Sequence, residues 1–499
     1  MAQPFLLALD QSTSATKALL FDTQGRALDR ESRPHRQHYP QPGWVEHDAG
    51  EIWENTLVVL RSVALRAHAA GREIAALSIT NQRETVLVFE RGSGRPLAPA
   101  MVWQDRRGIG LCDEQAAAGR GEAIHARTGL RLDAYFSASK LQWLVRHRPD
   151  LLARLESGDA LIGTIDAYLV YRLTCGAVFA TDHTNASRTL LFDITSLAWD
   201  AELCAWWQVP RWALPEVREP KARFGETTLD GTLTRPIPIC GVMGDSQASL
   251  FAQRCFEAGT AKVTFGTGSS ILLNIGSTPR LSGRGVVTAL AWVLDGVPTY
   301  TLEGIIITSA ATLTWLRDQL GLVREVSELE TLAGEVASSG GVYLVPAFSG
   351  LGLPHWAPES RAAIIGLSGH SDRRHVARAA LESMAFQLRD ALAAMRGEAG
   401  VELRSLHADG GPTANHLLMQ ITADFTGVEL RVAASPDCSP LGAALAGMLG
   451  LGIRGSLAEL AALPRAETRY RANLSAETAG VLHAGWLAAV RRVTTPSHE

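Results

Sequence analysis

With 499 residues the chain is too long for a single hydrophobic core, so two or three domains are expected. Apolar residues make up 46% and charged residues 20%, as in ordinary globular proteins, and a net charge of −4 argues against nucleic acid or an anionic membrane as partner. The N-terminal MAQPFLLALDQ lacks the basic region of a signal peptide, no window of about 18 charge-free apolar residues occurs, and the six cysteines follow no regular spacing. A cytoplasmic protein with reduced thiols and no membrane span is expected.

The chain begins with two apolar runs, Pro4 to Leu9 and Ala18 to Phe21, on either side of Asp10 and the small polar residues Gln11, Ser12, Thr13 and Ser14. This predicts a β-hairpin with an acid ending its first strand. Ala27 to Ser32 is a third strand. Asp48 is an N-cap candidate for a long amphipathic helix through Trp53, Leu57, Leu60, Ala64 and Ala67. Strands are predicted at Ile74 to Ile79, closing on Thr80-Asn81-Gln82-Arg83-Glu84, and at Thr85 to Phe89. Ile162 to Leu173 reads equally as strand or helix, and Thr181 to Arg188 is polar. Pro236 to Met243 is a strand that ends on Gly244-Asp245, with a helix from Ala248. A domain boundary is expected near Gln253 to Thr260. Beyond it the logic repeats: a hairpin from Val263 to Ile275, a strand at Val297 to Leu302, a helix from Thr308 to Leu320, and Leu406 to Asp409 leading into Gly410-Gly411-Pro412-Thr413-Ala414-Asn415. Mixed sheets flanked by helices follow from this order.

Two phosphate-type hairpins with small polar turns, far apart in one chain, suggest two related domains facing a nucleotide. A single acid at a strand end is as often a turn former as a ligand. Asp10 and Asp245 occupy similar places, and phosphoryl transfer needs only a metal holder, phosphate donors and a base. Asp10 suits the first task and Asp245 the last. The loop Gly266-Thr267-Gly268-Ser269-Ser270 allows close approach to phosphates, although no GxxxxGK[ST] occurs. Asn81 to Glu84 reads as a surface turn or as a polar site cluster. Trp103 and Tyr135 read as core or as ligand wall.

The ordered motifs PGWVEHD, ITNQRET, VWQDRR, YFSASKLQWLVRH, TNASRT, VPAFSGLG, GLSGHSDRRHVARAALE and DGGPTAN resemble the FGGY carbohydrate kinases, and the glycerol kinase group among them, from Leu7 to about Leu451. The resemblance implies two actin-like (RNase H-like) domains, residues 1–253 and 254–499, with the active site in the cleft between them. It implies ATP and Mg²⁺ as cofactors and phosphorylation of the terminal hydroxyl of glycerol. The alternative within the family is a larger polyol or a ketose such as erythritol or a pentulose. Carried over by motif, Asp245 is the base. Arg83, Glu84, Trp103, Tyr135, Asp245 and Ser246 stand on the polyol side. Thr13, Ser14, Lys17, Thr267, Ala310, Gly411 and Asn415 stand on the nucleotide side, and Asp10 on the metal. A homo-oligomer is expected, as in much of the family. The chain departs from the family pattern at Ser12 (usually Gly), Ser246 (Gln), Ser270 (Phe), Ala310 (Gly) and Thr314 (Gln).

Overall fold

The structure, a computed structural model, describes residues 4–283 and 285–494. Its first sheet has six strands in the spatial order Arg223–Thr227, Ile237–Gly244, Glu73–Asn81, Pro4–Gln11, Ala15–Phe21 and Ala27–Pro34. Pro4–Gln11 and Ile237–Gly244 both run parallel to Glu73–Asn81, and the remaining pairs are antiparallel. Taken in chain order, the five strands common to the repeat lie 3-2-1-4-5. The second sheet has the same plan. Val297–Ile306, Ser269–Gly276, Thr260–Phe265, Ser405–Asp409 and Leu430–Ala433 again lie 3-2-1-4-5, with Val287–Leu294 added at one edge and Glu467–Tyr470 at the other. The two-fold repeat expected from the hairpins is therefore a repeat of whole sheets.

Apolar runs explain the parallel strands. Leu6 to Leu9 are fully buried, as are Ala76, Leu77 and Ile79 beside them, because helices cover both faces. The helix Ala49–Ala69 lies on one face and starts where predicted. Asp48 caps it, its carboxylate accepting from the backbone N–H of Gly50 at 2.7 Å and of Glu51 at 3.4 Å. The other face is covered from far away in the chain. Ala444, Leu445, Ala446 and Met448, on the helix Cys438–Gly450, pack with Leu6, Ala8, Ala76 and Met243.

Three predicted elements differ in detail. The strand predicted at Thr85 to Phe89 forms, as Val86–Glu90, but outside the first sheet. Glu84 takes a positive φ of 61°, and the chain turns out of the first sheet. Val86–Glu90 instead pairs with Ala160–Thr164 in a separate four-stranded sheet. The ambiguous stretch Ile162 to Leu173 is both things, the end of that strand followed by the helix Ile165–Leu173. The helix expected from Thr308 begins only at Ala311. The backbone N–H groups of Ser309 and Ala310 are committed to the carbonyls of Thr267 and Gly266, at 2.8 and 3.0 Å, so those residues form part of a turn.

Candidate active site

Strands 1, 4 and 5 of each sheet are parallel, so their carboxyl ends lie at one edge, where α/β proteins hold ligands. In the first sheet those ends are Asp10, the segment Asn81 to Glu84, and Asp245. In the second they are the turn Gly266 to Gly268, the turn from Gly410 to Asn415, and the start of Cys438–Gly450. The sequence signals of the two halves thus fall on equivalent places.

Asp10 is buried. Its Oδ2 is 3.1 Å from the Lys17 ammonium, and its Oδ1 accepts from the Ser12 hydroxyl at 3.1 Å. Burial raises its proton affinity, Lys17 opposes that, and the nearby Asp245 adds to it. A cation against Asp10 would relieve both burial and repulsion. Among the described residues no group of three or more His, Cys, Asp or Glu side chains could hold a metal ion alone. One buried carboxylate beside a phosphate-type turn fits Mg²⁺, which takes one or two carboxylates and completes its shell with water and phosphate oxygens.

Thr13 sits in the turn after Asp10, and its hydroxyl accepts from the Trp103 indole N–H at 3.0 Å. Trp103 lies 5.3 Å from the Tyr135 ring, centroid to centroid. Tyr135 is placed by its own loop. The ammonium of Lys140, which is wholly buried, donates to the carbonyls of Ala134, Tyr135 and Phe136 at 2.5, 2.7 and 3.2 Å. Burial lowers the Lys140 pKa to about 8. The sequence contained Lys140 within a recognised motif but gave no sign of this task.

Arg83 and Glu84 are buried to within a few per cent, so the polar cluster closing that strand is no surface turn. Asn81 and Asn185 exchange amide hydrogen bonds at 2.9 and 3.1 Å, which ties the strand end to the equally buried stretch Thr181 to Arg188. The Arg83 Nε lies 3.3 Å from Asp245 Oδ1, which also accepts from the Ser246 N–H at 2.6 Å. Asp245 is the exposed partner, with 36% of its side chain accessible against 5% for Arg83. Gly244 permits this pairing, because a Cβ there would stand 2.7 Å from Arg83 Cγ. Glu84 accepts from the Arg188 Nε at 2.5 Å, and Arg188 is itself fully buried.

Neither Arg188 nor Glu303 was singled out in the sequence, and both belong to this cluster. Glu303 comes from strand Val297–Ile306 of the second sheet. Its Oε1 is 2.8 Å from Arg83 Nη2, and its Oε2 is 3.3 Å from Arg83 Nη1 and 2.5 Å from Arg188 Nη1. Burial works against the Glu303 charge, but Arg188 and Arg83 outweigh it and hold the carboxyl well below the ordinary range. Glu84 is pushed up, because burial there exceeds the pull of Arg188 and Arg83. No motif pointed to Glu303, since a lone acid inside TLEGII has no local signature. Alternation along strand Val297–Ile306 hides it too, because Glu303 falls with Thr299 and Thr301 on the face opposite the core residues Tyr300, Leu302 and Ile306, where a polar residue is unremarkable.

On the second sheet, Thr267 is exposed at its turn, and its carbonyl accepts from the N–H of Ser309 and of Ala311. Gly268 is required beside it: a Cβ would lie 2.5 Å from the Ile306 carbonyl oxygen. Ala310 closes against Gly266 through its N–H. Gly411 is exposed, and Asn415 caps the helix His416–Thr426 by accepting from the Leu418 N–H at 2.7 Å. Thr267, Ala310, Gly411 and Asn415 thus form a second group, at the strand ends of the second half. Ser270 follows on strand Ser269–Gly276, and its hydroxyl is buried without a hydrogen-bond partner. Cross-strand pairing sets Thr264, Ser270 and Ile305 side by side, with Lys262, Leu272 and Glu303 in the next register, so Ser270 shares the sheet face of Glu303.

Comparison with known proteins agrees with this architecture. Residues 5–252 match the N-terminal domain and residues 261–451 the C-terminal domain of the FGGY family of carbohydrate kinases. The glycerol kinase of Rhodospirillum rubrum is 44% identical over 99% of both chains, and that of Thermus brockianus 47% identical over 98% of both. The crystal structure of Plasmodium falciparum glycerol kinase with ADP superposes with a TM-score of 0.94 over 99% of both chains, at 33% identity. The two sheets of one plan, the carboxylates at their strand ends and these matches over nearly the full length have one reading: the chain belongs to the FGGY family of carbohydrate kinases.

Proposed function

We propose that the chain phosphorylates the terminal hydroxyl of glycerol with ATP, giving sn-glycerol 3-phosphate and ADP. The observation that carries this is the Asp245 carboxylate, open to the cleft on one side and fixed by Arg83 and the Ser246 N–H on the other. Identity of 42–47% to glycerol kinases favours glycerol over a longer polyol or a ketose.

In this reading Arg83, Glu84 and Tyr135 hold the polyol hydroxyls, and Trp103 walls its carbons. Ser246 stands beside the base and offers its hydroxyl to the same substrate. Asp245 Oδ1 is already engaged, so Oδ2 takes the proton of the attacking hydroxyl. The new O–P bond forms at the γ-phosphorus as the bond to the β,γ-bridging oxygen breaks, and that electron pair leaves on ADP. Thr13, Ser14, Lys17 and Thr267 hold phosphate oxygens, and Ala310, Gly411 and Asn415 line the side of the ribose and base. Asp10 would hold Mg²⁺, which neutralises charge on the phosphates when bound. The division into units 1–253 and 254–499 belongs to the same reading, with the site drawn from both.

The test is ADP release coupled to product identification, run over glycerol, erythritol, dihydroxyacetone, xylulose and ribulose. Glycerol should give the highest kcat/KM, with sn-glycerol 3-phosphate as product. A preference for a ketose would overturn the assignment of substrate, and no ATP-dependent turnover on any of the five would overturn the reaction.

A further inference from the structure

Each arginine beside the polyol site has two ends. The Nε of Arg83 faces Asp245, and the Nε of Arg188 faces Glu84. Both outer nitrogens of Arg83 and the Nη1 of Arg188 converge on a single carboxylate, Glu303. Arg188 also lies over the rings of Tyr135 and Phe136, at 6.0 and 5.1 Å. Asp245, Glu84 and Tyr135 are therefore each one side chain removed from Glu303. The arginines belong to the first half of the chain, whereas Glu303 belongs to a strand of the second sheet. Gln247 supplies one further acceptor to Arg83, at 3.3 Å, which fixes the fork but carries no charge.

We propose that Glu303 is a positioning residue through which the second half of the molecule assembles the polyol site. The proposal rests on the polyol kinase reading above. Without the Glu303 charge, two buried guanidiniums would have only Asp245 and Glu84 to turn to. Arg83 would then swing its fork onto the carboxylate that must face the substrate hydroxyl. A bidentate pair held from the opposite sheet prevents this. It also makes the order of the polyol side depend on the two halves being in contact.

The decisive comparison is Glu303→Gln, of nearly the same size, against the wild-type protein, with glycerol and ATP varied separately. An ångström-scale misplacement of a substrate-holding group costs on the order of 100-fold, so kcat/KM for glycerol should fall by about that much, mainly through KM. The KM for ATP and the binding of a non-hydrolysable ATP analogue should stay within about twofold. Glycerol binding by calorimetry should tighten in the presence of the analogue in the wild-type protein and stop doing so in the variant. A side chain that only stabilised the fold would raise both KM values together. Should Glu303→Gln not fold, Glu303→Asp keeps the charge, withdraws it by one methylene, and should give the same selective rise in the glycerol KM. Wild-type glycerol KM in either folded variant, or an equal rise for both substrates, overturns the proposal. If the wild-type protein turns over neither glycerol nor another polyol, the polyol kinase reading has failed instead, and Glu303 falls with it.

Discussion

At the scale of single residues, the two aspartates that stood out in the sequence have opposite surroundings. Asp10 is enclosed and paired with Lys17, and Asp245 is open on one side. Asp245→Asn keeps the size and the hydrogen bond from the Ser246 N–H but removes the charge of the proposed base. Turnover should fall by about 10²–10⁴-fold with ATP-analogue binding retained; near wild-type kcat would exclude Asp245 as base. Asp10→Asn should raise the Mg²⁺ concentration needed for half-maximal rate, and an unchanged Mg²⁺ dependence would remove it from the metal. Ser270 and Ser246 are the positions proposed to limit substrate size. The buried Ser270 hydroxyl has no protein partner, and a fourth carbon with its hydroxyl could supply one. Ser270→Phe combined with Ser246→Gln should shift the ratio of kcat/KM for glycerol over erythritol toward glycerol by about 10–200-fold. An unchanged ratio would mean these positions do not limit the pocket. What the sequence made visible at this scale were residues inside dense motifs, such as Arg83, Glu84 and Tyr135. It did not show Arg188 and Glu303 as partners, because their pairing spans 115 to 220 positions of chain and has no local pattern.

At the scale of elements, the sequence reading held wherever one segment decides its own fate. The helix after Asp48 and the strand ending at Asp10 are of that kind, since a cap or an apolar run settles them. It fell short where a distant segment decides. Ser309 and Ala310 leave their helix for the carbonyls of Gly266 and Thr267, and Val86–Glu90 joins a sheet completed by Ala160–Thr164. The first turn shows a similar dependence. Its Thr13 carbonyl meets His35 Nε2 at 2.9 Å, and the rings of His35 and His47 are 4.8 Å apart at their centroids. Burial lowers the pKa of His35, and lowers that of His47 to about 3, helped by the charges of His35 and His38. The sign is fixed by these directions. An unfolded histidine takes its proton near pH 6.5, the folded His47 only near 3, so its contribution is complete above 6.5 and is lost as pH falls between the two. His47→Gln should therefore lose less in unfolding temperature between pH 7 and pH 5 than the wild-type protein does. Equal losses would place the acid sensitivity elsewhere.

At the scale of the whole molecule, the two sheets of one plan are not two separable bodies. The helix Asp245–Ala252 ends the first half and packs along Cys438–Gly450, which ends the repeat in the second half. The contact is close because the residues are small: a Cβ on Gly442 would stand 1.8 Å from the Ala248 carbonyl oxygen. The buried Arg83–Glu303–Arg188 cluster is a second tie across the same division. Removing one partner of a buried ion pair typically costs about 3–5 kcal/mol, so breaking this cluster should lower stability as well.

The late helix also has a consequence for the order in which the protein is made. Leu6, Ala8, Ala76 and Met243 are synthesised first, yet the side chains that shield them, Ala444 to Met448, emerge from the ribosome some two hundred residues after the first sheet is complete. At about 5–20 residues per second, the nascent sheet would present an uncovered apolar face for about ten seconds or more. A polypeptide of residues 1–253 should accordingly bind a hydrophobic dye and unfold without a sharp transition, and adding residues 435–465 in trans should reduce the dye signal. A fragment that unfolds cooperatively and stays dark to the dye would show that the first sheet protects itself before its cover arrives.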